Sequence, residues 1–351
     1  MTYSLSPPPL PITEASSKPA ASSAHMQVHG GRLGEAVLRY GRPREKWLDL
    51  STGINAHSWP VPAIPTESWQ RLPETDDGLE AAAKAYYGCE TLLPVAGSQA
   101  AIQLLPKLRA ISRVAIIDPG YNEHRAAWIN AGHQVSAVSP DGIDAIIDAI
   151  DVLVVINPNN PGAQHYSPEQ LLQWHQQLSQ RGGWLVVDEA FIDTTPELSL
   201  ATQALRSNLI LLRSVGKFFG LAGIRCGFVI AEQPLLRRLE QLLGPWTLSG
   251  PSRFACQHAL ADRQWQHHMR EYLPTQSERL QNMLRDSLKM ETKGTALFQT
   301  LHCPKAEQYH HALAEYGVLT RLFPEPQLLR FGVPANEEQW QRLQRGLKFL
   351  I

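Results

Sequence analysis

A single lysine lies between glycine-containing turns in the stretch LLRSVGKFFGLAGIRCGFV, residues 211–229. Ser214 precedes Lys217, and Arg225 follows it. A hydroxyl and a guanidinium are suitable phosphate ligands, because the planar guanidinium donates two parallel hydrogen bonds. A partly desolvated lysine beside an arginine has a lowered pKa, and its neutral amine can attack an aldehyde. The alternative is a surface turn with a solvated lysine, so the rest of the sequence must decide between the two.

Four further motifs contain polar residues that could bind the same ligand. They are VAGSQAAIQLLP (95–106) with Gly97, Ser98 and Gln99, IDPGYNEH (117–124) with Tyr121, INPNNPGAQ (156–164) with Asn160, and VVDEAFID (186–193) with Asp188. Free N–H groups at the start of a helix bind phosphate, and a tyrosine can stack on an aromatic ring. Taken singly, the motifs also fit a helix cap, a packed tyrosine, an Asn-Pro turn and a paired carboxylate.

Together the five motifs describe one planar ligand that carries a phosphate, a basic ring nitrogen, a phenolic oxygen and an aldehyde. That ligand is pyridoxal 5′-phosphate (PLP). Asp188 would keep the ring nitrogen protonated, Asn160 would donate to the phenolic oxygen, and Lys217 would bind the aldehyde. The predicted catalytic residues are Lys217 and Asp188. The predicted cofactor-binding residues are Gly97, Ser98, Gln99, Tyr121, Asn160, Asp188, Ser214, Lys217 and Arg225.

Buried strands would hold these residues at their carboxyl ends. The apolar runs that predict strands are RVAIID (113–118), DVLVVIN (151–157), WLVVDEA (184–190), LILLRS (209–214) and CGFVIA (226–231), and the intervening helices are predicted at 98–109, 122–131 and 168–181. Nearly continuous Val/Ile/Leu strands separated by helices are typical of a mostly parallel sheet that is covered on both faces. Ligands of such α/β sheets bind beyond the carboxyl ends of the strands. The sequence therefore predicts an α/β fold with its site at that edge.

The pattern changes after GPWTLSGPS (244–252). Long polar helices over about 253–289 precede the predicted strands TALFQTL (295–301), VLTRLF (318–323) and QLLRFGV (327–333), and a last helix begins near Asn336. This part reads as a smaller α+β domain with which segment 31–60 would pack. The predicted organisation is a flexible tail (1–24), an N-terminal arm with part of the small domain (25–74), a large cofactor-binding domain (75–250) and a small C-terminal domain (251–351).

Composition argues against several other classes of protein. The 351 residues include 32 Lys plus Arg and 33 Asp plus Glu, a net charge of -1, so no global field favours nucleic acid or a membrane surface. The four cysteines are far apart and form no CxxC motif, which fits a reducing cytoplasm rather than a disulfide framework. Adjacent histidines on a helix diverge by about 100° and do not face one ion, so we predict no metal site.

The motifs resemble those of the fold-type I PLP enzymes in the aminotransferase class I/II family, over nearly the whole chain from His29. Two branches are similar, the histidinol-phosphate aminotransferases and the threonine-phosphate decarboxylases of cobalamin biosynthesis. HGGRLGEA (29–36), Phe191 in DEAFID and GVLTRLFPEPQLLRFGVP (317–334) resemble the decarboxylases. The resemblance implies a cytoplasmic homodimer that decarboxylates L-threonine O-3-phosphate to (R)-1-amino-2-propanol phosphate.

The resemblance also implies a substrate site, in which Arg321 would bind the substrate phosphate together with His29, and Arg330 would bind the α-carboxylate. Gly53, Ile54 and Asn55 would line the same pocket. Two alternatives share the cofactor residues: an aminotransferase that acts on histidinol phosphate or another amino acid, and a non-catalytic PLP-fold protein.

Two positions depart from the family pattern. Gly162 stands where a threonine is usual, and Leu72 stands where many relatives have a tyrosine that reaches the cofactor phosphate of the neighbouring subunit.

Overall fold

The structure is a computed structural model that describes residues 30–350. The predicted tail and His29 lie outside the described residues. The described strands β1–β13 are Leu48–Asp49, Leu93–Val95, Arg113–Ile117, Gln134–Val138, Val152–Ile156, Trp184–Asp188, Leu209–Ser214, Gly227–Ile230, Thr292–Thr295, Phe298–His302, Val318–Leu319, Arg321–Phe323 and Leu328–Gly332. The described helices α1–α12 are Leu33–Tyr40, Glu67–Gln70, Leu79–Tyr87, Ser98–Leu104, Asn122–Asn130, Ile143–Ile146, Pro168–Ser179, Gln233–Leu243, Gly250–Ala261, Arg263–Leu288, Ala306–Tyr316 and Glu337–Lys348.

The large domain is built on a seven-stranded sheet of order β2-β8-β7-β6-β5-β3-β4. Strand β8 runs antiparallel to both of its neighbours, and the other pairings are parallel. Alternate residues of one strand enter two different cores: Val152 and Val154 pack on one face, and Leu153 and Val155 on the other. This two-sided burial explains the continuous apolar runs. The predicted mostly parallel α/β sheet is confirmed.

The small domain contains the four-stranded antiparallel sheet β12-β13-β10-β9 and the parallel pair β1-β11. Its core includes Leu280 and Leu284 of α10, Leu313 of α11 and Trp340 of α12. Leu48–Asp49, from the segment 31–60, pairs with Val318–Leu319. The domain boundaries at 75 and 250 stay predictions.

Two predicted strands of the small domain are wrong in detail. Run 295–301 contains a tight turn between β9 and β10, where the Leu297 N–H donates to Thr295 Oγ1 at 3.1 Å. Run 318–323 divides into β11 and β12, which belong to different sheets. The division falls at Thr320, whose hydroxyl bonds His310 Nδ1 at 2.8 Å. Hydrophobic pattern alone does not reveal which partner each half of such a run pairs with.

Helices long and apolar enough to cross a membrane do not occur between residues 30 and 350. In the same range, no three or more His, Cys, Asp or Glu side chains are grouped as potential metal ligands.

Candidate active site

The polar residues after the strands of the large sheet meet in one cavity. Asp188 ends β6, Ser214 ends β7, and Asn160 and Tyr121 follow β5 and β3. The cavity has a volume of about 140 Å³. Its lining residues are Gly97, Ser98, Gln99, Tyr121, Ile156, Asn160, Asp188, Ala190, Phe191, Ser214, Lys217 and Arg225. The structure therefore brings together all the residues that the sequence predicted to bind a cofactor.

One end of the cavity is suited to an anion. The exposed Arg225 has a left-handed backbone with φ of 50° and donates through Nη1 to Ala222 O at 3.1 Å. Its guanidinium lies so close to Gly97 that a Cβ on Gly97 would be 2.5 Å from Arg225 Nη2. Gly97 also has a φ of 72°, where only glycine is unstrained. Glycine at this position thus allows the Arg225 guanidinium to approach the start of α4.

The opposite side of the cavity contains a buried carboxylate in a defined orientation. Asp188 Oδ1 accepts from the Ala190 N–H at 3.0 Å, and Oδ2 accepts from His124 Nε2 at 2.9 Å. Because an ionised carboxylate only accepts, the proton of this bond is on Nε2. His124 was not among the predicted site residues. The available signal was its position one helical turn after Tyr121.

Lys217 lies between these two ends. Burial, followed by the charge of Arg330, lowers the pKa of its amine to about 8, although the negative charge of Asp188 acts in the opposite direction. Lys217 Nζ lies 5.6 Å from the centroid of the Phe191 ring. The lowered pKa leaves much of the amine neutral near pH 8, as nucleophilic attack requires.

Asn55 holds the backbone around Lys217 and does not line a described cavity. Its N–H donates to Lys217 O at 3.0 Å, and its Nδ2 donates to Phe218 O at 2.9 Å. Its Oδ1 accepts from the His57 N–H at 2.9 Å. These bonds occupy the amide, so Asn55 is placed to support the lysine rather than to contact a ligand.

A second cavity, of about 200 Å³, shares Tyr121, Asn160, Phe191 and Lys217 with the first. Its other lining residues are Gly30, Thr52, Gly53, Ile54, Gly120, Asn122, Arg321, Phe323 and Arg330. Four of the predicted substrate residues are therefore together here: Gly53, Ile54, Arg321 and Arg330. Gly53 leaves room for aromatic walls, because a Cβ there would lie 3.0 Å from the Phe191 and Phe298 rings.

Arg330 is a buried cation whose hydrogen bonds go to neutral groups. Its side chain donates to Asn160 Oδ1 and, through Nη2, to Ser51 O at 2.8 Å. Among the described residues its Nε has no partner, and burial together with the charge of Arg321 lowers its pKa. A buried charge needs a counter-ion, so this guanidinium marks an anion site beside Lys217. Because Asn160 Oδ1 is occupied by Arg330, Asn160 Nδ2 remains available as a donor.

Arg321 also lines the second cavity and pairs with Arg330 across β12 and β13, and its guanidinium lies 4.8 Å from the Phe323 ring centroid. Burial and the nearby charge of Arg32 lower its pKa. Arg32 lines a neighbouring cavity of about 560 Å³ that also contains Gly30, Arg321 and Phe323. Arg32 was missed in the sequence, although it is part of HGGRLGEA. The role predicted for His29 stays a prediction.

The Gly162 departure has a local structural reason. A Cβ at Gly162 would lie 2.1 Å from Gln164 Oε1, and this oxygen accepts from Asn159 Nδ2 at 3.0 Å. The Gln164 amide therefore fills the space beside Gly162 and secures the loop that carries Asn160. Thr300 of β10 also donates to Pro161 O of this loop, at 2.8 Å.

A sheet of this topology, with a lysine, an aspartate and two arginine-lined anion sites at its carboxyl edge, defines a class of protein. The chain belongs to the aminotransferase class I and II family, whose model matches residues 47–346.

Its relatives within that class are more specific. The chain is 52% identical to the threonine-phosphate decarboxylase of Pseudomonas aeruginosa over 322 residues, covering 92% of this chain and 97% of the relative. It is 40% identical to the threonine-phosphate decarboxylase of a Sinorhizobium species, covering 91% and 97%. The histidinol-phosphate aminotransferase of Sinorhizobium meliloti, solved with pyridoxal-5′-phosphate, has the same fold with a TM-score of 0.77, at 18% identity and covering 95% and 98%.

Proposed function

We propose that this chain is a PLP-dependent carboxy-lyase that converts L-threonine O-3-phosphate to (R)-1-amino-2-propanol phosphate and CO2, as a cytoplasmic step of cobalamin biosynthesis. One observation carries the proposal: among residues 30–350, buried Arg330 donates hydrogen bonds only to neutral groups beside Lys217, and its cross-strand neighbour Arg321 lines the same cavity. A small substrate that carries both a carboxylate and a phosphate fits this pair of cations. The two decarboxylase relatives support this substrate.

The donor set of the first cavity fits PLP. Arg225, Ser214 and the N–H groups that begin α4 line the first cavity and would hold the phosphate. Asp188 would pair with the protonated ring nitrogen, and Asn160 would donate to the phenolic oxygen. Tyr121 would stack on the ring, and Lys217 would hold the aldehyde.

PLP, when bound, supplies an aldehyde that captures the substrate amine and a pyridinium ring that accepts an electron pair from Cα. Lys217 provides the neutral amine, and its lowered pKa keeps that amine available near pH 8. Asp188 would supply a fixed negative charge to the ring nitrogen, and His124 orients the Asp188 carboxylate. Once released, Lys217 is the group that returns a proton to Cα.

Orientation of the substrate decides which bond at Cα breaks. The bond to be broken must stand perpendicular to the ring, so that its electrons enter the π system. Arg321, with His29, would hold the phosphate, and Arg330 would hold the carboxylate. Binding energy from the phosphate, which does not react, would thereby set the angle of the Cα–carboxylate bond. An aminotransferase with the same cofactor residues would instead place the Cα–H bond in that position.

The test is release of ¹⁴CO2 from carboxyl-labelled L-threonine O-3-phosphate by purified protein with PLP and no 2-oxo acid. We expect turnover under these conditions and one equivalent of amine product per CO2. Turnover that requires 2-oxoglutarate and releases no CO2 would contradict the proposal and identify an aminotransferase. Absence of both reactions, in protein that binds PLP, would support the non-catalytic alternative.

We also infer a homodimer. The apolar side chains of Trp69, Leu72 and Trp246 are 66%, 63% and 59% exposed in the single chain. Helix α2, which contains Trp69, packs closely on α9, because a Cβ on Gly250 at the start of α9 would lie 2.2 Å from Ser68 O. Exposed aromatic and aliphatic residues of this size are typical of interfaces between subunits. A leucine at position 72 would give that interface an apolar contact in place of a tyrosine hydroxyl.

A further inference from the structure

A buried ion cluster lies behind the cofactor cavity. Arg213 donates through Nη1 to Glu189 Oε2 at 2.8 Å and through Nη2 to Asp193 Oδ1 at 2.5 Å. The three residues are at most 2% exposed. None of them lines either of the two cavities that contain Lys217. The mechanism proposed above does not use them.

Each member of the cluster is next or close in sequence to a residue of the cavity. Glu189 follows Asp188, and Arg213 precedes Ser214. Because side chains alternate along extended backbone, Glu189 and Arg213 point to the face opposite the cavity. Asp193 lies in the turn Ile192–Thr194, directly after Phe191. The cluster therefore joins the end of β6, the end of β7 and the turn that carries Phe191.

Further hydrogen bonds hold the two carboxylates in place. Glu189 accepts from Ser199 Oγ at 2.6 Å and from the Leu200 N–H at 2.9 Å. Asp193 Oδ1 accepts from the Tyr86 hydroxyl at 3.1 Å, and that hydroxyl accepts from Arg270 Nη2 at 3.0 Å.

The same network extends to the lysine segment. The Arg270 guanidinium lies 5.4 Å from the ring centroid of Phe218, which follows Lys217. Through Tyr86 and Arg270, the cluster is thus linked to Phe218, the residue that follows Lys217.

We propose that Arg213 is a positioning residue for the cofactor, which acts by fixing the spacing between Asp188 on β6 and Ser214 on β7 through its ion pairs with Glu189 and Asp193. The inference rests on the proposed binding of PLP, in which Asp188 at the end of β6 would bind the ring nitrogen and Ser214 at the end of β7 would bind the phosphate. Buried ion pairs add little net stability compared with apolar residues, but their directional bonds define geometry. Displacement of a reacting group by 1 Å costs about 10²-fold in rate.

The experiment compares a charge-free replacement of the cluster with a matched control. The triple variant Arg213→Met, Glu189→Gln, Asp193→Asn removes all three charges, so no buried ion is left unpaired. The control Arg113→Met, Asp151→Asn removes an ion pair of 2.9 Å at the amino ends of β3 and β5, in the same sheet but at the edge away from the cavity. The melting temperature of each apo-protein, its Kd for PLP by absorbance titration, and kcat and KM are measured.

We expect the folded triple variant to bind PLP at least about tenfold more weakly than wild type and to lose kcat, with little change in KM for the substrate. The control should keep its PLP Kd. A triple variant with a lowered melting temperature but a PLP Kd and kcat like wild type would overturn the proposal, because the cluster would then serve stability alone.

If the triple variant does not fold, the variant Tyr86→Phe tests the positioning role instead, because it removes only the hydroxyl that donates to Asp193. We expect a weaker Kd for PLP, by about threefold, at an unchanged melting temperature. An unchanged Kd would overturn the inference. If the wild-type protein binds no PLP, both the proposed function and this inference are overturned. If the wild type binds PLP and the variant binds it with the same Kd, only the inference is overturned.

Discussion

At the scale of single residues, the environment of Lys217 sets its chemistry. Burial and the charges of Arg330 and Arg225 favour the neutral amine, and the charge of Asp188 only partly opposes them. With a pKa of about 8, about half of the amine is neutral at pH 8. An ordinary lysine with a pKa near 10.4 is roughly 0.4% neutral at that pH. At pH 8 the neutral, reactive fraction of the Lys217 amine is therefore about 100-fold larger than that of an ordinary lysine.

This lowered pKa predicts a pH dependence of cofactor loading. The rate at which apo-protein incorporates PLP should rise as pH increases through about 8 and level off above it, because deprotonation produces the attacking amine. Arg330→Met removes a positive charge and should move the midpoint to higher pH. Stopped-flow absorbance across pH 6–10 measures both proteins, and a midpoint near 10 in wild type would contradict the lysine environment described above.

Arg330 predicts a selective loss of carboxylate recognition. Arg330→Met should lower kcat/KM for L-threonine O-3-phosphate by roughly 10²-fold or more, since a buried charged partner contributes about 2–5 kcal/mol. The product (R)-1-amino-2-propanol phosphate has no carboxylate, so its inhibition constant should change by less than about threefold. If Arg330→Met weakened inhibition by the product as much as it lowered kcat/KM for the substrate, the substrate carboxylate would not bind Arg330.

The sequence predicted the residues that lie directly beside strand ends, because local order along the chain places them. Lys217, Asp188 and Asn160 are of this kind. His124 and Ser51 were not predicted, since their contacts depend on packing across many residues: His124 is 64 residues from Asp188, and Ser51 is 279 residues from Arg330. Such pairings arise from tertiary structure, which a single sequence pattern does not encode.

At the scale of elements, the junction between β2 and α4 forms the end of the cavity where we propose that the cofactor phosphate binds. Gly97 combines a positive φ with a close approach to Arg225. The strands β3, β5, β6, β7 and β8 were predicted because two-sided burial makes them continuously apolar. The short edge strands β2 and β4 escaped prediction, because three of five β4 residues are exposed and β2 has only three residues.

This junction predicts that Gly97→Ala weakens PLP binding by about tenfold or more, because a Cβ would displace the Arg225 guanidinium. Gly132→Ala is the matched control. Gly132 also has a positive φ, 88°, but a Cβ there would meet no atom within 4 Å. Both variants carry a backbone cost of roughly 1–3 kcal/mol in stability. Equal Kd values for PLP in the two variants, measured by absorbance titration, would show that the close approach of Arg225 to Gly97 does not contribute to PLP binding.

At the scale of the whole molecule, the site is lined by residues that belong to two different sheets. Asp188 ends β6 of the seven-stranded sheet and Lys217 follows β7, whereas Arg321 and Arg330 lie on β12 and β13 of the four-stranded sheet. The resemblance indicated these two arginines, but the pattern 318–323 did not show that a strand break at Thr320 precedes Arg321. Substrate anions would therefore bind residues of the four-stranded sheet, while the cofactor would lie on the seven-stranded sheet.

The exposed apolar residues predict the state of assembly. Wild type should have twice the 39.1 kDa chain mass by light scattering coupled to size exclusion. The variant Trp69→Glu, Leu72→Glu should shift the mass towards a single chain, because buried charges at an apolar interface are unfavourable. Ile111→Glu, at another apolar residue that is 71% exposed, is the control and should remain dimeric. A wild-type protein of single-chain mass would contradict the homodimer.

Covalent attachment of PLP at Lys217 is the central claim, and borohydride reduction tests it most directly. Protein incubated with PLP, reduced and digested is analysed by mass spectrometry. We expect the phosphopyridoxyl mass on the peptide that contains Lys217, together with loss of the yellow absorbance, and neither change in folded Lys217→Ala. The label on another lysine of wild type, or a reducible yellow band in Lys217→Ala, would contradict the account.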